Sequence, residues 1–205
     1  MLIDLARNPQ RHKEVFVPLA HPPGDAQADF GEALVVIGGI EQKAHFFCMH
    51  LPHSDACFVV AFPVENTESF LEGHNRAFAY FQGVPRSILY DNTGIAVAKI
   101  TGDGERKPTK GFSELQSHYL FAAKFGRPGK GNDKGNVEGL VGYARRNFMV
   151  PVPRFATWEE LNEYLLKQCL LRLDKRVHGE KACLSKLGER HWMRVYRETR
   201  GGMLG

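Results

Sequence analysis

The hydrophobic positions of this chain change period several times. From Ala26 they come in short β-branched or aromatic runs: ALVVIGGI (33–40), AHFFCMH (44–50) and ACFVVAFP (56–63). Turn residues separate the runs, and the spacing predicts an antiparallel three-stranded meander. From Thr67 to Phe81 the period becomes helical, with Phe70, Leu71, His74, Ala77, Phe78 and Phe81 on one face and Gly83 just past the end. RSILYD (86–91) predicts a fourth strand that ends on an acid. Ser113, with Gln116 three residues on, predicts the cap of a second helix, which leads into a short apolar strand near Phe121–Phe125.

After a glycine-rich stretch, Val137, Leu140, Val141, Ala144 and Phe148 form the apolar stripe of a third helix, stopped by PVP (151–153). Thr157 caps a last helix running to about Leu173. Its stripe of Trp158, Leu161, Tyr164, Leu165 and Gln168 reads as a packing face against the core, with a protomer contact as the alternative. Three strands, a helix, a strand, a helix, a strand and further helices predict an α/β fold, a five-stranded mixed sheet flanked by helices. Among folds with that order the ribonuclease-H-like one fits best. Residues 1–24, broken by HPPGD, read as a linker or N-terminal arm. Residues 25–150 read as the core, and 151–205 as a truncated helical extension.

Composition narrows the class. Hydrophobic residues make up 43% and charged residues 24%, ordinary for a soluble globular chain. No run nears 18 apolar residues, so no membrane span is expected, and the first residues lack a signal peptide's apolar core and cleavage site. Cys48, Cys57, Cys169 and Cys183 show no paired spacing and suit a reducing cytosol. The net charge of +4 is uneven: Lys99 to Arg146 holds ten Lys or Arg against five Asp or Glu. A polyanion partner leaves that footprint, as does a solvated surface loop.

Three acids stand at the ends of predicted elements. Asp29 lies in QADFGE within the first strand, Asp91 closes the fourth in ILYDNT, and Glu138 opens the helix after KGNDKGNVEG (130–139). Singly, each has a structural explanation as a turn residue, a loop starter or a helix-dipole partner. Together they match phosphodiester chemistry. Two divalent ions about 3.5–4 Å apart activate the attacking oxygen and neutralise the leaving one, and hard magnesium needs only a few carboxylates. His45, Cys48, His50, His53 and Cys57 suggest zinc, but strand alternation turns His45 away from Cys48 and His50. Buried thiols and edge histidines are the better reading.

QADFGE, LPHSDACFVVAFP, GVPRSILYDN, FSELQSHYLF, FGRPGKGNDKGNVEGLVGYARRNF and PVPR resemble the catalytic core of bacterial insertion-sequence transposases of the IstA type. These belong to the Asp-Asp-Glu integrase superfamily, and the resemblance covers about Gln27 to Leu173. It implies that Asp29, Asp91 and Glu138, separated by 62 and 47 residues, are a metal triad for two Mg²⁺ (or Mn²⁺) ions. In that scheme Asp29 bridges both ions, while Asp91 and Glu138 each complete one coordination sphere. The implied activity is polynucleotidyl transfer: water frees a 3′-hydroxyl at each element end, and that hydroxyl attacks target DNA. A homo-oligomer on DNA, a helper ATPase of the IstB type and a bacterial cytoplasmic, nucleoid-associated location follow from the family.

The glycine-rich loop is then a phosphate-tracking element, with Lys130, Lys134, Arg127 and Arg145 as candidate DNA contacts and solvated cations as the alternative. Arg145 falls on about the face of Glu138, and Arg146 points elsewhere. Two features depart from the family pattern. The chain starts in what reads as the linker after a helix-turn-helix region, and beyond about Lys175 its sequence drifts. A truncated remnant with weak, poorly specific DNA binding is expected, and a non-catalytic DNA-binding remnant or a nuclease of the same fold are the alternatives.

Overall fold

Strand β1 (Asp25–Ile37) turns at Gly38 and Gly39, both at positive φ (60° and 84°), into β2 (Ile40–Leu51). Two successive positive φ values make the tight turn whose twist matches the flanking strands, so the glycines inside the predicted first strand are its end. The computed structural model describes residues 22–90, 97–100, 106–125, 135–174 and 194–195, with side chains over 22–90, 108–125 and 139–173. β1 and β2 pair antiparallel from Gln27↔His50 to Ile37↔Ile40. β3 (Ala56–Phe62) pairs antiparallel with β2 from Leu51↔Ala56 to His45↔Phe62, completing the predicted meander.

Helix α1 (Thr67–Phe81) has the predicted bounds. Asn66 Oδ1 accepts from the Ser69 N–H at 2.8 Å, and Ser69 Oγ accepts from the Asn66 N–H at 2.9 Å. Two orphan donors of the first turn are thereby satisfied. Gln82, at φ 54°, closes the helix in the left-handed conformation expected of Gly83. Gly83 opens β4 (Gly83–Val84) instead, followed by β5 (Ser87–Tyr90) and the antiparallel pair β6 (Val97–Ile100) and β7 (Arg106–Pro108).

Helix α2 (Lys110–Tyr119) begins ahead of the predicted cap. Thr109 Oγ1 accepts from the Phe112 N–H at 3.3 Å, which starts the helix where Phe112 and Leu115 both face the core. Gln116, the expected capping-box partner, donates to the Phe121 carbonyl at 3.2 Å. β8 (Ala122–Phe125), α3 (Gly135–Phe148), β9 (Arg154–Phe155), α4 (Trp158–Asp174) and β10 (Arg194–Val195) follow.

The main sheet runs β3-β2-β1-β5-β8. Its first two junctions are antiparallel and its last two parallel, with β9 added in parallel at the far end of β1. Hence the first strand in the chain is central in the sheet. β10 pairs with β4 apart from it. Even-numbered β1 residues (Ala26, Ala28) join Phe47, Phe70, Phe78, Tyr90 and Phe112 in a core shared with α1 and α2. Odd-numbered ones (Val35, Ile37) join Phe46, Cys48, Val59, Val141, Ala144, Leu161, Leu165 and Cys169 beneath α3 and α4. Burial on both faces explains why β2 and β3 read as unbroken apolar runs.

Trp158, Leu161, Tyr164 and Leu165 of the predicted α4 stripe pack in or against the core, and Cys169 rather than Gln168 extends it. Asn162 locks that helix to the edge strand β3, accepting from Ala61 N–H at 2.7 Å and donating to its carbonyl at 3.0 Å. Among the described residues no helix is long and apolar enough to cross a membrane.

Candidate active site

β1 pairs with β5 only from Asp25↔Ser87 to Ala28↔Tyr90, and with β9 only from Val36↔Arg154. Between them, at residues 29–35, β1 has no strand partner on that side among the described residues. Side chains occupy part of this open edge. Asp29 Oδ1 accepts from the Phe30 N–H at 2.8 Å, and Arg145 Nε of α3 donates to the Glu32 carbonyl at 3.0 Å. Asp29 is half-buried and sits across from Cys48 on β2, on the α3 side of the sheet. Burial pushes the Cys48 thiol well above its usual range, and repulsion from Cys57 and Asp29 adds to this. The thiol therefore stays neutral beside the carboxylate.

Of the sequence-predicted acids, Asp29 is placed with its side chain. Asp91 follows Tyr90, the β5 residue paired with Ala28, and itself lies outside the described residues. Glu138 is in the first turn of α3 by its backbone, with its side chain outside the described set. Arg127, Lys130 and Lys134 also lie outside it. Arg145 is exposed, and its Nε serves the strand edge.

Two further residues shape this region. A Cβ at Gly31 would stand 2.4 Å from Phe46 Cζ and 2.7 Å from Val141 Cγ1. Only a residue without a side chain lets α3 lie this close to β1, two positions from Asp29, and Val141 is one turn beyond Glu138. A glycine inside a strand pattern is the available sequence signal for such close approach. The second is His74, fully buried on α1. Its Nδ1 lies 2.7 Å from the Phe70 carbonyl and its Nε2 lies 2.8 Å from the Tyr90 hydroxyl. A carbonyl only accepts, so Nδ1 carries the proton and Nε2 accepts from Tyr90. Burial lowers the His74 pKa to about 4 and raises that of Tyr90 well above 10, so this neutral pairing holds at physiological pH.

No protein-family model matches the chain. A transposase of Aminobacter aminovorans is 38% identical over 166 residues, covering 80% of this chain and 33% of its own length. The transposase of insertion sequence element IS21 of Pseudomonas aeruginosa is 34% identical over 155 residues, 76% of this chain and 40% of its own. The chain is homologous to IS21-type transposases. It spans about a third of the length of the first of these relatives.

Among solved structures, the simian T-cell lymphotropic virus intasome in complex with the PP2A regulatory subunit B56 gamma aligns at TM-score 0.56 and 14% identity, over 90% of this chain and 60% of that one. The HTLV-2 integrase catalytic core in complex with magnesium aligns at TM-score 0.51 and 13% identity, over 79% and 93%. At such identities the likeness concerns architecture, and the fold is ribonuclease-H-like.

Other polar clusters of this transposase homologue lie apart from Asp29. Glu32 and His45 are a cross-strand pair on the opposite face. His45 Nδ1 stands 3.6 Å from Glu32 Oε1 and 3.5 Å from Glu65 Oε2, and Lys43 Nζ is 2.9 Å from Glu32 Oε2. The Lys43 hydrogen bond lowers the Glu32 pKa. Cys48 faces the other way, into the second core, where Cys57 and Cys169 are also buried. His50 Nε2 bonds Asp55 Oδ1 at 2.8 Å, and Asp55 Oδ2 meets Arg172 at 2.6 Å. The histidines and cysteines of the 45–57 stretch thus divide between two faces and separate partners.

Proposed function

We propose that this chain carries the catalytic centre of a DNA transposase, with Asp29, Asp91 and Glu138 as its metal ligands. The observation that most supports this is the Ala28↔Tyr90 pair. Each partner immediately precedes an acid in the sequence, so the parallel junction of β1 and β5 sets the residue before Asp91 beside the residue before Asp29. The close seat of α3 at Gly31, one turn from Glu138, supports the third ligand.

The donor chemistry fits Mg²⁺ or Mn²⁺: hard carboxylate oxygens, one of them on a half-buried aspartate held by a backbone N–H at the open edge of a strand. When bound, a pair of such ions supplies Lewis-acid activation of the attacking oxygen and charge neutralisation at the leaving one. The rest falls to the chain. The Phe30 N–H bonds the Asp29 carboxylate, and the β1 edge beside it, without a strand neighbour among the described residues, is where a DNA backbone would approach. Arg145, Lys134, Lys130 and Arg127 neutralise phosphates along it. The substrates are element ends and target DNA, joined by 3′-hydroxyl attack in a homo-oligomer, with an IstB-type ATPase as helper.

The test is nicking and strand transfer on element-end DNA with Mg²⁺ or Mn²⁺. Wild type should be active, and Asp29→Asn, Asp91→Asn and Glu138→Gln inactive. Equal inertness of wild type and Glu138→Gln, with both still binding DNA, would replace this reading by a non-catalytic DNA-binding role.

A further inference from the structure

We propose that Glu32, His45 and Glu65 form a metal site separate from the catalytic centre, a three-donor seat for Zn²⁺ or a similar borderline divalent ion on the face of the sheet away from Asp29. It rests on geometry that the triad reading does not use. Strand alternation turns His45 away from Cys48 and His50 and towards Glu32, its cross-strand partner on β1. His45 also pairs with Phe62, the last residue of β3. Three residues later the chain returns to the ring at Glu65, just ahead of Asn66, the cap of α1. An imidazole nitrogen and two carboxylates, from three parts of the fold, thus converge within 4.8 Å of one another.

The separations show what fits between them. His45 Nδ1 stands 3.6 Å from Glu32 Oε1 and 3.5 Å from Glu65 Oε2. Hydrogen bonds to nitrogen close to about 2.7–3.2 Å, so neither contact is one, and Nδ1 is buried without a hydrogen-bond partner. A tetrahedral ion with bonds of about 2.0–2.2 Å holds its donors about 3.3–3.6 Å apart, and both contacts have that length. Two neighbouring carboxylates also repel each other. Lys43 relieves only the outer oxygen, its Nζ lying 2.9 Å from Glu32 Oε2 while Oε1 faces the ring. One cation among the three donors would answer both the orphaned nitrogen and the repulsion.

Three protein donors leave a fourth position for water. The glutamate side chains, 49% and 32% exposed, have the freedom to close on an ion arriving from solvent. An imidazole donor favours zinc-like ions over Mg²⁺, which prefers oxygen throughout. The two metal sites therefore differ in chemistry as well as in place. A bound ion would tie β1, β2 and the entrance to α1 together.

The experiment is Zn²⁺ titration of the full chain by isothermal titration calorimetry, with thermal midpoints taken with and without the ion. Wild type, His45→Gln, Glu65→Gln and Asp29→Asn are compared. Loss of an outer-shell partner already weakens metal binding about 10–100-fold, so either donor variant should weaken zinc at least ten-fold. Both should lose the rise in midpoint that zinc gives wild type. Asp29→Asn, on the other face, should bind zinc within about two-fold of wild type, as independent sites do. No zinc binding by wild type, or unchanged binding in either donor variant, would overturn the site and leave His45 as an imidazolium between two carboxylates. Zinc binding lost in Asp29→Asn and kept in the donor variants would overturn it too, by assigning the ion to the catalytic centre.

Discussion

Replacing Gly31 by alanine tests whether α3 is seated by the absence of a side chain. The new Cβ would lie 2.4 and 2.6 Å from Phe46 Cζ and Cε2 and 2.7 Å from Val141 Cγ1. Ordinary carbon contacts begin near 3.5 Å, so roughly an ångström of displacement is needed on both sides. Phe46 is fully buried in the core between sheet and helix. Overpacking of this kind costs about 1–3 kcal/mol, which in a chain of this size lowers the thermal midpoint by about 2–12 °C. If the strain is relieved by lifting α3, the first turn of that helix moves too, and Mn²⁺ affinity should fall with the midpoint. Differential scanning fluorimetry and Mn²⁺ titration read the two effects. Gly139→Ala, on the same helix, is the control: a Cβ there would meet nothing within 4 Å, so the usual helical gain of about 0.5–1 kcal/mol should raise the midpoint. A Gly31→Ala midpoint within about 1 °C of wild type would refute the close seat.

Three further outcomes are expected. Because His74 has its pKa lowered by burial to about 4, its contribution to stability is complete above the unfolded value near 6.5 and is lost as pH falls towards 4. Denaturant unfolding should show about 2 kcal/mol less stability at pH 5 than at pH 7, a difference largely absent in His74→Leu. Arg172 bonds Asp55 at 2.6 Å and lies 4.1 Å over the Tyr143 ring. Burial alone would raise the Asp55 pKa, but the His50 hydrogen bond and the Arg172 charge outweigh it and lower the value below 3.8. Arg172→Ala should therefore cost about 1–3 kcal/mol at neutral pH, and the cost should shrink as pH falls below that range. Arg145→Ala should weaken DNA binding at all sequences and reduce its salt slope by about 1; an unchanged slope would confine Arg145 to the strand edge.

The sheet was legible because its strands announce themselves by burial on both faces and its helices by period. The runs at 44–50 and 56–63 match β2 and β3 closely, and the Thr67–Phe81 stripe matches α1. Local chemistry misled at three points, each with a competing cause. Gly38 and Gly39 sat inside an apolar run but make the turn; Thr109 outcompeted Ser113 because it aligns Phe112 and Leu115; and Gln82 took the left-handed position ahead of Gly83. Two-residue strands such as β4 and β9 carry too few positions for any period to show.

At the site, Asp29 was visible as an acid within a strand. The His74–Tyr90 bond was not, because its ends lie sixteen residues apart on different elements, α1 and β5, and each side chain alone reads as core. The close seat at Gly31 showed only as an isolated glycine whose reason lies in a helix more than a hundred residues later.

The placement of β1 in the middle of the sheet has a consequence for synthesis. The meander leaves the ribosome first, yet Asn162, which ties down its outer rim, and Arg145, which occupies its inner one, emerge about a hundred residues later. Until then a greasy floor of Val35, Phe46 and Val59 lies bare beside exposed backbone, a template onto which strands of other chains can add. Shortened versions that stop before α4 should for that reason clump or draw chaperones.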